Sequence, residues 1–220
     1  MSVPGVRLVG LNLSGTTGVP WLNPVDDGTC ITVTACNCTI EGFTFQGHQA
    51  TNNGAAIIAS YVTAYGDNLT VKHCAFDGHF EEGIILSFAW SCDIYDNWFL
   101  QTTTGITNDD AQAAANYNHV HDNYFFDCPT RAIHIGEASY WNVYENHIWN
   151  TSAATPAAAT GEGIVVSTGD HNFVHHNTMS CLLPTGVAVS GDYDDLNTAG
   201  AADIWAQNFC NNGPSTTNPA

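Results

Sequence analysis

The chain has 220 residues, a mass of 23.5 kDa and a formal charge of −18, and Arg7, Lys72 and Arg131 are its only Lys or Arg side chains. Such a surface repels polyanions, which argues against a nucleic-acid or anionic-membrane partner. The length suits one domain with a full-sized core.

From the N-terminus, a short frame recurs: an apolar residue, two polar residues, Asn, any residue, then an apolar residue. It is faint at Leu8 to Leu13 and lacks the Asn at Ile40 to Phe45 and Val71 to Phe76. It is complete at Ile94 to Phe99, Val120 to Phe125, Val143 to Ile148 and Val174 to Met179, and returns without the Asn at Ile204 to Phe209. The starts are 32, 31, 23, 26, 23, 31 and 30 residues apart, a period that means stacked units. A second motif, a small residue followed by alternating aliphatics, precedes most frames. It supplies Ile31, Ile57, Ile84, Ile106, Ile133, Ile164 and Val187. Both motifs alternate with period two and are too short for helices, so they predict strands.

Two or three short strands per repeat predict one coil of a solenoid. The fold class expected is all-β, a right-handed single-stranded parallel β-helix of about eight coils, with neighbouring strands ~4.8 Å apart. The second-motif aliphatics form one internal ladder. Phe45, Phe76, Phe99, Phe125, Ile148, Met179 and Phe209 form another. Asn97, Asn123, Asn146 and Asn177 form a turn ladder, whose side chains bond the backbone of the next coil and whose residue type tolerates a left-handed corner. The domain is expected over 1–210, with corner loops at 101–116 and 151–160 and a flexible tail at 211–220.

Residues 8 to 209 resemble the right-handed parallel β-helix superfamily, which includes pectate lyases, polygalacturonases, phage tailspikes and the β-helix repeats of surface and periplasmic proteins. The resemblance implies the coil. It implies no active site, because these families share a fold and not a chemistry. The clustered aspartates, His and Arg-x-Lys of polygalacturonases are absent.

Outward positions of the frame carry rings where small polar residues would ordinarily stand. One column contains Tyr95, His121, Tyr144, His175 and Trp205, and the next contains Trp98, Tyr124 and His147. Trp90, Tyr140 and Trp141 lie nearby. The second motif adds Ile58, Ile85, His134 and Val165 as outward residues. Such rings make either a sugar platform or a subunit interface. The apolar β-branched members favour packing between subunits, most simply in a parallel homotrimer. His121, His147 and His175 fall in mixed columns shared with Tyr and Trp, so ladder stacking accounts for them and no metal site is predicted. No cofactor is expected beyond weak Ca²⁺ binding by surface carboxylates. If the chain is an enzyme, Glu82, Asp109, Glu137 and Glu162 are the acids available for sugar cleavage. Of these, Glu82 and Glu162 share a column with Thr104 and Arg131, and Arg131 pairs with Glu162.

The eight cysteines show no zinc spacing and no evident disulfide partners, which suggests reduced, mostly buried thiols and assembly in a cytoplasm. No signal peptide and no transmembrane span are legible. Together these features predict a structural or adhesive protein of a phage virion, tailspike-like or a head decoration protein. Its partners would be its own copies, other virion proteins and surface polysaccharide. The alternatives are a polysaccharide lyase or hydrolase acting beside the loops, and a non-catalytic carbohydrate-binding module.

Overall fold

The computed structural model describes residues 1–10, 20–24, 28–47, 54–60, 67–78, 80–108, 115–151, 162–182, 193–195 and 202–210. The strands, in chain order, begin with β1 (Arg7–Val9), β2 (Trp21–Leu22), β3 (Ile31–Val33), β4 (Thr39–Glu41), β5 (Thr44–Gln46) and β6 (Ile57–Ser60). Next come β7 (Thr70–Lys72), β8 (Ala75–Asp77), β9 (Glu82–Ser87), β10 (Asp93–Tyr95), β11 (Trp98–Leu100) and β12 (Thr104–Thr107). They continue as β13 (His119–His121), β14 (Tyr124–Phe126), β15 (Arg131–Glu137), β16 (Asn142–Tyr144), β17 (His147–Thr151) and β18 (Glu162–Thr168). The last are β19 (Phe173–His175), β20 (Thr178–Leu182), β21 (Tyr193–Asp195), β22 (Ile204–Ala206) and β23 (Phe209–Cys210).

Every third strand joins the same sheet. The first sheet runs β1-β4-β7-β10-β13-β16-β19-β22 and the second runs β2-β5-β8-β11-β14-β17-β20-β23. The third runs β3-β6-β9-β12-β15-β18-β21. Neighbours pair in parallel and in register, for example Ile94 with Val120 and Phe99 with Phe125. The fold is therefore an all-β parallel solenoid. The expectation of about eight coils needs correcting, because the three-sided core is complete over five turns, β4 to β18, where each strand contributes a buried side chain. The turns on either side are partial: β1 and β2 bury nothing fully, and Phe209 of β23 is exposed.

Inside, like stacks on like. Phe45, Phe76, Phe99 and Phe125 lie face to face with centroids 5.0, 4.5 and 4.7 Å apart. The rings reach across to the third sheet, and glycine makes room for them. A Cβ on Gly83 would sit 2.7 Å from Phe99, and one on Gly105 would sit 2.6 Å from Phe125.

The asparagine row supplies the polar half of the interior. Asn97, Asn123, Asn146 and Asn177 are fully buried. Each Oδ1 accepts the backbone N–H of the equivalent residue one coil earlier: Cys74 to Asn97 at 3.0 Å, Asn97 to Asn123 at 3.1 Å, Asn123 to Asn146 at 3.1 Å and Asn146 to Asn177 at 3.0 Å. Each Nδ2 donates to a carbonyl of the coil before, as Asn123 does to Ile94 at 2.8 Å and Asn146 to Val120 at 2.8 Å. The corner's left-handed residue is not the Asn itself, as the sequence suggested, but the residue before it: Asp96, Asp122, Glu145 and His176 have φ of 53–55°. The inward Asn keeps ordinary backbone geometry so that its side chain can reach both neighbours.

Several expected positions are corrected. The last frame is Trp205 to Cys210, one residue later than predicted. Asn208 takes the ladder position and accepts the Asn177 N–H at 3.0 Å. The slip turns Trp205 inward, at 6% exposure, and turns Ile204 and Phe209 out. Trp141 is also buried, its indole N–H bonded to the Ala115 carbonyl. It belongs to a second polar row that the sequence reading missed: Asn118 Oδ1 accepts the Cys92 N–H and Asn172 Oδ1 accepts the Trp141 N–H. The third sheet places Tyr193, rather than Val187, beside Ile164, and Val187 lies outside the described residues. Within the expected loop 101–116, residues 104–107 are strand β12 of the third sheet. Residues 109–114, 152–160 and 211–220 lie outside the described residues. Among the described residues, no helix is long and apolar enough to cross a membrane.

Asn123→Ala would strand the Asn97 N–H and the Ile94 carbonyl in the core. It is expected to destabilise the fold by about 3 kcal/mol, since each unmatched buried group costs about 1–3 kcal/mol. Asn208→Ala, at the half-exposed end of the row, is expected to cost about 1 kcal/mol. Urea unfolding of the two variants checks this, and equal losses would contradict it.

Candidate functional site

The outward rings separate into two kinds. On the first sheet, Tyr95, His121, Tyr144 and His175 occupy consecutive strands and are half-buried. Their rings stack at 5.1, 4.7 and 5.2 Å with planes within 9°. Lys72 caps the stack with its ammonium 5.6 Å from the Tyr95 centroid. His121 is held further by Asp93 at 3.0 Å and Asp122 at 2.7 Å. Burial, then His176, pushes the His175 pKa down, and burial, then Asp93, pushes the Tyr144 pKa up. These rings spend their faces on one another, so they form a surface brace and not an open platform. A third stack, Tyr117, Tyr140 and His171, lines one corner at 4.7 and 5.2 Å.

The second sheet is different. Its outward side chains over β11, β14 and β17 form two columns: Trp98, Tyr124 and His147, then Leu100, Phe126 and Trp149. Trp98 is 59% exposed, Trp149 54%, Phe126 42% and Tyr124 41%. Trp98, Tyr124 and His147 stack at 4.7 and 4.9 Å, but Ala75 follows Trp98 on the other side, so one indole face stays open. Phe126 and Trp149 meet edge-on at 61°, which splays the second column. Between the columns lies a mostly apolar cleft of about 450 Å³, lined by Trp98, Tyr124, Phe125, Phe126, His147, Ile148, Trp149 and Thr178. Leu100, Phe126 and Trp149 had not been singled out from sequence. The signal was present, as the position two residues beyond each of Trp98, Tyr124 and His147.

The third sheet offers less outward apolar surface than its sequence suggested. Ile58 and Ile85 are half-buried, but Val165 and His134 are buried within the single chain. His134 Nδ1 lies 3.2 Å from the Thr107 hydroxyl and Nε2 lies 2.7 Å from that of Ser167.

Among the described residues, the candidate catalytic acids do not converge. Register places Glu82, Thr104, Arg131 and Glu162 on successive strands of the third sheet. Arg131 Nε donates to Glu162 at 2.7 Å, and the Glu162 side chain is 8% exposed. Glu82 is three strand spacings from Glu162, about 14 Å along the rod. Burial, then the charge of Glu81, pushes the Glu82 pKa up to about 7. Glu137 is exposed at the end of β15, and Asp109 lies outside the described residues.

In a comparison of folds, this solenoid is similar to the tailspike protein of Escherichia coli bacteriophage HK620 in complex with pentasaccharide, at 14% identity and a TM-score of 0.55. It is similar also to a single-substitution mutant of that tailspike, again with pentasaccharide, at 14% and 0.55, and to a double mutant at 14% and 0.53. In each case 94% of this chain and 47% of the tailspike are covered, so the chain spans about half the length of the tailspike it matches. At such identity the likeness is one of fold, that of the right-handed parallel β-helix superfamily. No curated protein sequence matches the chain.

A family model described as "Periplasmic copper-binding protein (NosD)" matches residues 23–215. The description implies copper, and the described residues do not fit it. Among them, no group of three or more His, Cys, Asp or Glu side chains is placed to hold a metal ion. Of the described thiols, Cys38, Cys74, Cys92 and Cys128 are buried in the coil and Cys30 and Cys36 are half-buried, with the pKa of Cys74 pushed up by burial to about 11 and those of Cys92 and Cys128 to about 12. Both nitrogens of His121 already face carboxylates, and those of His175 face Asn142 and His176. Because the family match extends over most of the sequence, the chain belongs to the NosD family.

Proposed function

We propose that the chain is a non-enzymatic, adhesive β-solenoid of a phage virion, which contacts surface glycans through the cleft on β11, β14 and β17. The observation that carries this reading is the exposed two-column grid of rings there. Aromatic rings with one open face suit the apolar face of a sugar, and their polar tips suit its hydroxyls. The tailspike likeness supports the setting, because that protein's structure was determined with a pentasaccharide. Assembly in a reducing cytoplasm followed by release with the virion agrees with the burial of the Cys38, Cys74, Cys92 and Cys128 side chains in the coil. The half-buried apolar side chains of Ile58 and Ile85 support subunit packing along the third sheet, in a parallel homotrimer.

The rival, a glycosidase or lyase, needs a pair of acids. A carboxyl titrating near 7 would suit a general acid, which is the feature of Glu82 that favours it. Its nearest partner in the column, Glu162, lies beyond the roughly 9.5 Å limit for an inverting pair and is held by Arg131. We read Glu82 as a carboxyl kept protonated by burial. The folded chain then holds this proton more tightly than the unfolded chain.

Three outcomes are expected. Trp149→Ala and Trp98→Ala should each weaken retention on a bound bacterial surface polysaccharide by roughly tenfold, the equivalent of about 1.4 kcal/mol. Tyr140→Ala, a ring at another corner, should leave retention unchanged, and equal losses for all three would overturn the cleft assignment. Glu82 should make stability fall as pH rises from 4.5 to about 7, and this contribution should be lost in Glu82→Gln, which should have the flatter profile and be the more stable protein at pH 8. Thermal melts across that range read this, and coincident curves would contradict it. Sedimentation should give a mass three times the 23.5 kDa of one chain; a monomer at all concentrations would exclude the trimer.

A further inference from the structure

We infer that the cleft on β11, β14 and β17 selects uncharged glycans and rejects those bearing uronate, sialate or phosphate groups; this rests on the glycan-binding reading above and names the class of its ligand. The argument begins with the basic residues, because an acidic sugar needs a cation. The chain has three Lys or Arg side chains in all. Arg7 donates to Glu41 at 2.6 Å, and Lys72 lies 3.9 Å from the same carboxylate with its ammonium over Tyr95. Arg131 donates to Glu162. All three are committed to acids, on the first and third sheets, and none lines the cleft.

The cleft itself offers apolar surface with few polar atoms. Trp98 and Trp149 stand at its opposite corners with ring faces not covered by a parallel neighbour on one side, and Tyr124 and Phe126 lie on the strand between them. A pyranose presents a patch of C–H bonds on one face and hydroxyls around its rim. The patch can lie on an indole while the hydroxyls stay in water or meet the ring tips. A carboxylate or phosphate on that sugar would lose hydration against this surface with no Lys or Arg to replace it, His147 being the one basic side chain in the lining. It would also approach a chain of formal charge −18. Both terms act against anionic ligands and neither acts against neutral ones.

The test is an array of bacterial O-chain and capsular polysaccharides, sorted into neutral and acidic sets and probed with the full chain. It is run at pH 8, above the ordinary imidazole range, at low and at physiological salt. The expected result is retention of neutral members only, lost in Trp149→Ala, with acidic members of similar backbone at least about tenfold weaker at low salt and the gap narrowing as salt screens the repulsion. Equal retention of neutral and acidic members, or preference for acidic ones, would overturn the inference and leave the glycan-binding reading intact. Retention of no polysaccharide would overturn both. Concentration-dependent dimerisation abolished by Trp149→Ala, without glycan retention, would assign the face to a second copy and overturn both as well.

Discussion

A buried amide that satisfies the coil before it holds this rod together. Strands of three residues cannot stabilise themselves, and a coil that turns three corners leaves backbone groups pointing into the core. Asn97, Asn123, Asn146 and Asn177 meet those groups with one side chain each, accepting an N–H and donating to a carbonyl of the coil before. The geometry works only if successive coils lie in register, because a shift of one residue would put the asparagine outside and a polar neighbour inside. The hydrophobic ladders, the outward columns and the cleft on the second sheet all inherit their spacing from this register.

Much of this was legible in the sequence. The Asn frame and the aliphatic motif specify parallel strands, and the inner columns of Ile and Phe follow directly from their alternation. Failures came where the pattern was carried by residues of unusual type. At Trp205 to Cys210 the frame begins with Trp and ends with Cys, so Ile204 and Phe209 looked like its apolar ends. The backbone instead follows Asn208, whose amide continues the row. The second polar row is hidden in the sequence because Cys92 and Trp141 alternate with Asn118 and Asn172, so that a thiol and an indole occupy asparagine's place in the fold.

Surface function was less legible, for a physical reason. Alternation says which residues point outward, but not whether outward rings spend their faces on each other. Tyr95, His121, Tyr144 and His175 look like a platform in sequence and stack as a closed column in space. Trp98 and Trp149 differ only in what surrounds them: Ala75 on one side of the first, and a Phe126 turned edge-on beside the second. Val165 also reads as outward, yet the chain's own surface covers it. The family's copper description meets a related limit, since a coil repeat can be shared without any ligand set.

Native-state hydrogen exchange, resolved by residue, tests the asparagine row most directly. If each buried amide is clamped by the next coil, the backbone N–H groups of Asn97, Asn123 and Asn146 should be among the slowest to exchange, opening only with global unfolding. Exchange of those three amides at the rate of exposed corner residues such as Glu145, while the neighbouring strands stay protected, would contradict the account.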